Sequence, residues 1–111
     1  MMTKPTEVQV VLCTCPDEET ACALATTIVS ERLAACANVL PAITSIYRWE
    51  GEVQQDPEAL LIIKSTAAAF PALRDAIVAA HPYELPEVVA VPVGDGLEGY
   101  LGWVRSAVHP G

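Results

Sequence analysis

The sequence predicts an α+β fold with the element order β-α-β-β-α-β and a short helix at its end. Three observations predict it. An apolar strand-like segment at 7–14 precedes an amphipathic helical pattern, two long strand-like segments follow in succession, and a second helix precedes a last apolar segment. This order is typical of a ferredoxin-like sandwich, whose antiparallel sheet carries both helices on one face. We expect a single domain, 1–111, with loose ends at 1–6 and 109–111.

The first strand and helix are indicated by their apolar patterns. Residues 7–14 contain the β-branched run V-Q-V-V-L, which favours a buried strand. Asp17 is placed to cap the following helix, and two glutamates in its first turn suit the helix dipole. An apolar helix face packs on a sheet. That face is expected to contain Ala21, Cys22, Leu24, Ala25, Ile28, Val29 and Leu33.

A long β-hairpin is predicted next, with strands at 39–50 and 52–65 joined at Glu50-Gly51. Glycine supplies the backbone freedom that a tight hairpin turn needs. Asp56-Pro57 interrupts the second strand, and because proline cannot donate to a β-ladder we expect a bulge or an edge segment there.

The remaining elements are a helix within 67–80, a strand between Pro86 and Pro92, and an amphipathic piece at 97–108. Pro71 is tolerated only in a first helical turn, so the helix should begin at about residue 68 or later. The last piece is expected to pack Tyr100, Leu101, Trp103 and Val104.

The length of the hairpin predicts an assembly. A strand of about 12 residues spans about 40 Å, whereas a helix of about 16 residues covers about 24 Å. The tip should therefore project, with Tyr47 and Trp49 on one face and Arg48 on the other. Exposed rings on an unpaired edge promote aggregation, and a neighbouring chain would bury them. We expect Tyr47, Arg48 and Trp49 at such an interface; the alternative is a hairpin folded over its own sheet.

Composition excludes several classes of partner. The formal net charge is −8 and only six residues are basic, which argues against nucleic acid and against an anionic membrane surface. The excess of carboxylates would attract cations weakly and without selectivity. The start M-M-T-K-P-T-E has no apolar run after its lysine, and four cysteines without a paired spacing favour reduced thiols. We therefore expect the protein to be located in the cytoplasm.

Several segments together resemble the CutA family, whose proteins are associated with divalent-cation tolerance. The specific ones are Y-R-W-E-G at 47–51 and H-P-Y-E-L-P-E at 81–87, and the likeness extends from about Val8 to Trp103. It implies a trimer whose hairpins reach across to neighbouring subunits. It also implies an architecture shared with the PII signalling proteins, which bind small ligands in clefts between subunits.

The candidate metal-binding residues are Cys13 and His81. Cys13 and Cys15 share one face of the first strand, and thiolates suit copper or zinc; the alternative is a pair of core residues. The resemblance implies Cys13 as a copper ligand and a doubled histidine before P-Y, but here Ala80 replaces the first histidine. His81 presents a ring nitrogen to a metal or caps the helix end. We expect Cys22 and Cys36 in the core.

The loop after His81 and the end of the second hairpin strand supply candidates for a ligand cleft. These candidates are Lys64, Tyr83, Glu84 and Glu87. Two carboxylates beside an imidazole suit a cation or acid–base chemistry, but more often form structural pairs. Lys64 would pair with Glu84 or Glu87, or bind an anion.

These observations support a cytoplasmic homotrimer that binds divalent cations weakly, Cu(II) first, through Cys13 and His81. The main alternative is a PII-like regulatory trimer that binds a small anion near Lys64 and the 81–87 loop. A protein-binding scaffold is a further alternative. Because no glycine-rich phosphate loop, serine-nucleophile motif or H-E-x-x-H is present, we do not expect an enzyme.

Overall fold

The computed structural model describes residues 6–109 and has the predicted element order. The strands are β1 (Val8–Cys15), β2 (Cys36–Trp49), β3 (Glu52–Thr66) and β4 (Val89–Pro92), and the helices are α1 (Glu18–Ser30), α2 (Phe70–Ala80) and α3 (Glu98–Ala107). The sheet order is β2-β3-β1-β4 with antiparallel pairing throughout. The predicted ferredoxin-like fold is therefore confirmed.

Loose segments were predicted at both chain ends, at 1–6 and 109–111. Residues 1–5 and 110–111 lie outside the described part of the chain. At its margins, the Thr6 hydroxyl donates to the Val93 carbonyl at 2.5 Å, and the His109 amide donates to the Arg32 carbonyl at 2.8 Å. Thr6 and His109 are thus hydrogen bonded to the domain.

The main core lies between the central strands and the first two helices. It is filled from odd positions of β1 and β3, because side chains alternate between the faces of a strand. Its fully buried members include Val11, Cys13, Cys15, Ile28, Leu61, Ile63, Leu73 and Ile77. A second cluster joins Val8 and Ala35 to Leu101 and Val104 of α3. Cys13 and Cys15 therefore belong to the layer under α1 and α2.

Helix α1 begins as predicted but covers the sheet with a narrower stripe. The Asp17 carboxylate accepts from the Thr20 amide at 2.7 Å, which confirms the N-cap. Cys22 is exposed and Val29 is 36% exposed, so their assignment to the packed face was wrong. At about 100° per residue, Cys22 and Val29 lie about 100° and 80° around the helix from the buried Ala21, beyond the edge of the contact.

Two further packing expectations need correction. Cys36 was expected in the core but is the first residue of β2 and only partly buried. Its sulfur lies 3.6 Å from the Tyr100 hydroxyl. In α3, Leu101 and Val104 are buried as expected, but Tyr100 and Trp103 are 43% and 46% exposed. Their rings contact each other at 5.6 Å instead of entering the core.

The hairpin turn is confirmed, and of the two alternatives expected at Asp56-Pro57 the edge segment is confirmed and the bulge is not. Glu50 and Gly51 have φ angles of 51° and 82°, as a two-residue type I′ turn requires. The irregularity lies on β2 between Leu40 and Ile43, and not at Pro57, which pairs with Thr44. Proline is tolerated there because β1 stops pairing at Ala59, so β3 has only one neighbour beyond that point.

The hairpin extends beyond the packed layers. The radius of gyration is 14.8 Å, against about 13 Å for a compact domain of this length. On one face of the hairpin stand Tyr47 and Trp49, and on the other stand Arg48 and its pairing partner Val53. All four side chains are exposed in the single chain, as the predicted projection requires.

The sheet face turned away from α1 and α2 is largely apolar. Even positions of β1 and β3 point to it, together with their partners on β2 and β4. We call these residues the open sheet face: Val10, Leu12, Leu40, Leu60, Ile62, Val89 and Val91. Helix α3 covers the end near Val8, but Leu40, Val89 and Val91 remain 39–49% exposed.

Candidate metal centre and adjoining groove

Two thiols and one imidazole meet at the end of β1. Cys13 and Cys15 are two residues apart on the strand and so point the same way, and both are fully buried. His81 is the C-cap of α2, where its amide donates to the Ile77 carbonyl at 2.8 Å. The two sulfurs and a ring nitrogen all lie within 4.8 Å of one another. The structure therefore brings together Cys13 and His81, and it adds Cys15.

Both ring nitrogens of His81 are hydrogen bonded. The Tyr83 amide donates to Nδ1 at 3.1 Å, so Nδ1 carries a lone pair. Nε2 lies 2.7 Å from the Thr14 carbonyl, which accepts only, so Nε2 carries the proton. These two bonds tie the loop after α2 to the end of β1. A metal bound through His81 must replace one of them.

The thiols lie in a largely apolar setting. The hydrogen bond to Cys15 raises the pKa of the Cys13 thiol well above its ordinary value, and burial raises that pKa further. An unliganded Cys13 is therefore a neutral thiol. A metal ion overcomes this preference, because it replaces the proton on sulfur and stabilises the thiolate directly. The donor set, two sulfurs and one nitrogen, fits copper or zinc and does not fit calcium or magnesium.

A groove of about 1110 Å³ lies beside the thiol–imidazole cluster, between the hairpin and the loop after α2. Its wall contains the rings of Tyr47, Trp49 and Tyr83. Its carboxylates come from Asp56, Glu58, Glu84 and Glu87, and among residues 6–109 no lysine or arginine lines it. The groove is therefore negatively charged and suits a cation better than an anion.

Two tyrosines of the groove are fixed by carboxylates. The Tyr83 hydroxyl donates to Glu58 Oε2 at 2.6 Å, and the Tyr47 hydroxyl donates to Asp56 Oδ2. Desolvation and the bond to Glu58 raise the pKa of Tyr83 above its ordinary value of 10.0. Tyr83 thus attaches the loop after His81 to the base of the hairpin.

Lys64 lies elsewhere. It pairs with Val10 and Cys36 in the sheet, and its ammonium donates to the Asn38 side chain. The expected pair with Glu84 or Glu87 is not formed among the described residues, because those two glutamates line the groove near Thr14. Lys64 is four residues from Thr14 along the ladder, or about 13 Å. Within one chain the four cleft candidates therefore do not form one site.

The predicted interface residues lie on the projecting hairpin. Tyr47 and Trp49 line the groove and are 41% and 51% exposed. Arg48 points away, and its guanidinium donates to the Gly51 carbonyl at 3.3 Å. Sequence reasoning did not single out Asp56 or Glu58 as groove residues. Their even spacing along β3 was the available signal, but only the position of Tyr83 shows which strand face the loop approaches.

These features define a class of protein: a ferredoxin-like domain with a long projecting hairpin and a buried thiol–imidazole cluster at the edge of an acidic groove. The family model described as CutA1 divalent ion tolerance protein matches residues 9–107. The chain belongs to the CutA1 family, as the sequence resemblance predicted.

Individual relatives agree with this assignment. The divalent-cation tolerance protein CutA of Thermus thermophilus is 53% identical over 98 residues, which cover 88% of this chain and 95% of that protein. Protein CutA of Homo sapiens is 46% identical over 105 residues, 95% of this chain but 59% of the human protein. The CutA1 crystal structure from Oryza sativa superimposes with a TM-score of 0.90 at 44% identity and covers 96% of each chain.

Within residues 6–109, no helix is long and apolar enough to cross a membrane.

Proposed function

We propose that this chain forms a cytoplasmic homotrimer that binds divalent cations, copper first, and acts in divalent-ion tolerance without catalysing a reaction. The observation that carries the proposal is the meeting of Cys13 and His81 in one buried group of donor atoms. The family description and the printed names of the relatives support the link to divalent ions.

The trimer is supported by two exposed surfaces. The open sheet face leaves several aliphatic side chains half exposed, and the hairpin carries Tyr47 and Trp49 beyond the helices. Contiguous apolar surface of this kind marks an interface between proteins. Copies of the same chain would cover both surfaces. In a closed ring each chain extends its hairpin onto one neighbour and receives the hairpin of the other neighbour.

Specific binding must be separated from surface attraction. A net charge of −8 concentrates any cation near the protein. We therefore expect binding at Cys13 and His81 to saturate at one ion per chain, with a dissociation constant below about 100 μM, or roughly 5.5 kcal/mol.

The test is a calorimetric titration of the reduced protein with Cu(II), and with Zn(II) as an ion that thiols do not reduce. Light scattering on the same sample should give three times the chain mass of 11.8 kDa. Cys13→Ala and His81→Ala should each abolish saturable binding, whereas Cys22→Ala, which removes an exposed thiol, should not. The proposal fails if no saturable binding occurs below that limit or if the two site variants bind like the parent.

The groove supports a second candidate, a PII-like regulatory trimer that binds a small molecule. Tyr83, Glu58 and Asp56 form a shaped surface with fixed carboxylates. The charge of this surface favours a cationic ligand over the anionic one expected from Lys64. A thermal-shift screen should then show stabilisation by small amines and none by nucleotides or organic acids. The reverse pattern would return the search to Lys64 and an anion.

A further inference from the structure

We propose that Cys13, Cys15 and His81 form a closed, three-donor site that prefers monovalent copper, and that Cys15 supplies the donor that sets this preference. The inference rests on the proposed metal binding and deepens it. Its new content is the role of Cys15 and the class of ion, a soft monovalent cation, that the cluster holds most tightly.

The donor atoms are nearly at binding distances. Metal–thiolate bonds are about 2.3 Å and metal–imidazole bonds about 2.0–2.1 Å, so three such donors in a plane around one ion lie about 4 Å apart. The two sulfurs and the ring nitrogen already lie within 4.8 Å of one another. Closing on an ion therefore requires shifts of no more than about 1 Å, since the arrangement is present before binding.

The number and type of donors select the ion. Zn(II) in a structural site takes four ligands, and Cu(II) prefers tetragonal nitrogen and oxygen donors, whereas thiolates select Cu(I). Within the described chain, no fourth cysteine, histidine or carboxylate joins the cluster. Of the three residues only His81 reaches solvent, at 8% exposure, so water is poorly placed to complete a tetrahedral shell. Three soft donors in a dry site fit Cu(I) better than either divalent ion.

An ion bound through His81 replaces one of the two hydrogen bonds of its ring. If Nδ1 takes the ion, only the bond from the Tyr83 amide is lost, and Nε2–H continues to donate to the Thr14 carbonyl. A histidine ligand commonly donates its other N–H to a carbonyl in this way. The imidazole stays neutral. Any proton still on a sulfur leaves to solvent when Cu(I) binds, and no electron is transferred.

The fold also provides access without breaking the sheet. Strand β4 pairs only with Gln9–Leu12, so the segment of β1 that bears Cys13 and Cys15 has β3 on one side and the loop after α2 on the other. That loop is attached here through His81 and through the bond from Tyr83 to Glu58. Because the opposite side of the thiols is packed under α1 and α2, displacement of this loop is the change that would open this end of β1 to an ion with the β1–β3 ladder intact.

The experiment is an anaerobic titration of the reduced protein with Cu(I), supplied against the chromophoric chelator bicinchoninate. One ion should bind per chain, with thiolate-to-copper absorption in the near ultraviolet. Cys15→Ser, which nearly preserves size, should weaken Cu(I) binding by more than about a hundredfold, because even second-shell losses cost 10–100-fold. Cys22→Ser, at an exposed thiol outside the cluster, is the matched control and should bind like the parent.

The inference is overturned if Cys15→Ser binds Cu(I) like the parent, or if Co(II) and Zn(II) outcompete Cu(I) with the visible bands of tetrahedral cobalt. X-ray absorption on the unmutated protein gives an answer even if the variants fold poorly. Two sulfur donors per copper support the proposal, and one overturns it.

Saturable Cu(II) or Zn(II) binding without any effect of Cys15→Ser would sink this inference alone. Tight Cu(I) binding with no saturable divalent binding would instead sink the proposed function.

Discussion

His81 joins three parts of the chain at the scale of single residues. Its amide ends α2, its Nε2–H bonds to β1 at Thr14, and its Nδ1 receives the amide of Tyr83. An alanine there removes the partner of two part-buried groups, the Tyr83 amide and the Thr14 carbonyl, although the Cys13 thiol still donates to that carbonyl at 3.7 Å. Losing the partner of a buried polar group costs about 1–3 kcal/mol.

We therefore expect His81→Ala to lower the free energy of unfolding by about 2–4 kcal/mol. Urea denaturation at fixed protein concentration and without metal measures it. Glu84→Ala, in the same loop but exposed, is the control and should change stability by less than about 0.5 kcal/mol. A change in His81→Ala as small as that of the control would show that the loop is held by other contacts.

Tyr83 makes stability depend on alkaline pH. Its folded pKa is raised by desolvation and by the bond to Glu58. The neutral phenol is thus favoured in the folded state, so this contribution is complete below the ordinary pKa of 10.0 and is lost as pH rises from 10.0 towards the folded value.

Tyr83→Phe should therefore be less stable than the parent at about pH 8, and the gap should narrow between about pH 10 and 11. Urea denaturation at stepped pH measures the gap. Tyr47→Phe is the comparison: its hydroxyl also bonds a carboxylate that raises its pKa, but on the exposed hairpin, so its gap should be smaller than that of Tyr83→Phe. A gap for Tyr83→Phe that is constant with pH would disprove the assignment.

The elements show how far local signals reach. The turn at Gly51, the cap at Asp17 and the late start of α2 follow from single residues and their neighbours, and all were predicted. Helix periodicity gave the apolar side of α1 but not the width of its contact, so Cys22 was misplaced. The bulge on β2 was also missed, because it depends on the pairing of two strands and not on Pro57 alone.

The candidate site divides in the same way. The shared face of Cys13 and Cys15 follows from strand alternation, and the position of His81 at a helix end follows from Pro82. That the helix end meets the strand end is a property of the packed fold and could not be derived from spacing. The expected pair of Lys64 with Glu84 was wrong for the same reason, because spacing along the chain does not show which residues meet in the fold. The strand register places Lys64 about 13 Å along the sheet from Thr14, which lines the groove with Glu84.

The hairpin turn offers a test of backbone conformation alone. Gly51 has φ of +82°, and a Cβ added there meets nothing within 4 Å, so Gly51→Ala introduces left-handed strain without a clash. We expect a loss of about 1–2 kcal/mol in urea denaturation. Gly94→Ala is the control, because its Cβ is equally unhindered and its φ is not positive. Equal stability of the two variants would mean that the turn changes conformation in solution.

The whole molecule has more apolar surface than a single chain can bury. α1 and α2 cover one face of the sheet, and α3 covers only the end of the other. The open sheet face and the projecting hairpin are explained together if neighbouring copies pack on them. Each predicted interface residue would then be more buried in the assembly than it is in the single chain.

A charge on the open sheet face should therefore prevent assembly. Val91 on β4 is 46% exposed in the single chain, and Val78 on α2, on the opposite side of the sheet, is 52% exposed. Val91→Glu would desolvate a carboxylate in every copy of the interface, at a cost of several kcal/mol each. Val78→Glu adds the same charge at similar exposure and stays in water. Light scattering should give three times the 11.8 kDa chain mass for Val78→Glu and the mass of one chain for Val91→Glu. Trimers of Val91→Glu would place the interface elsewhere, whereas dissociation of both variants would attribute assembly to net charge alone.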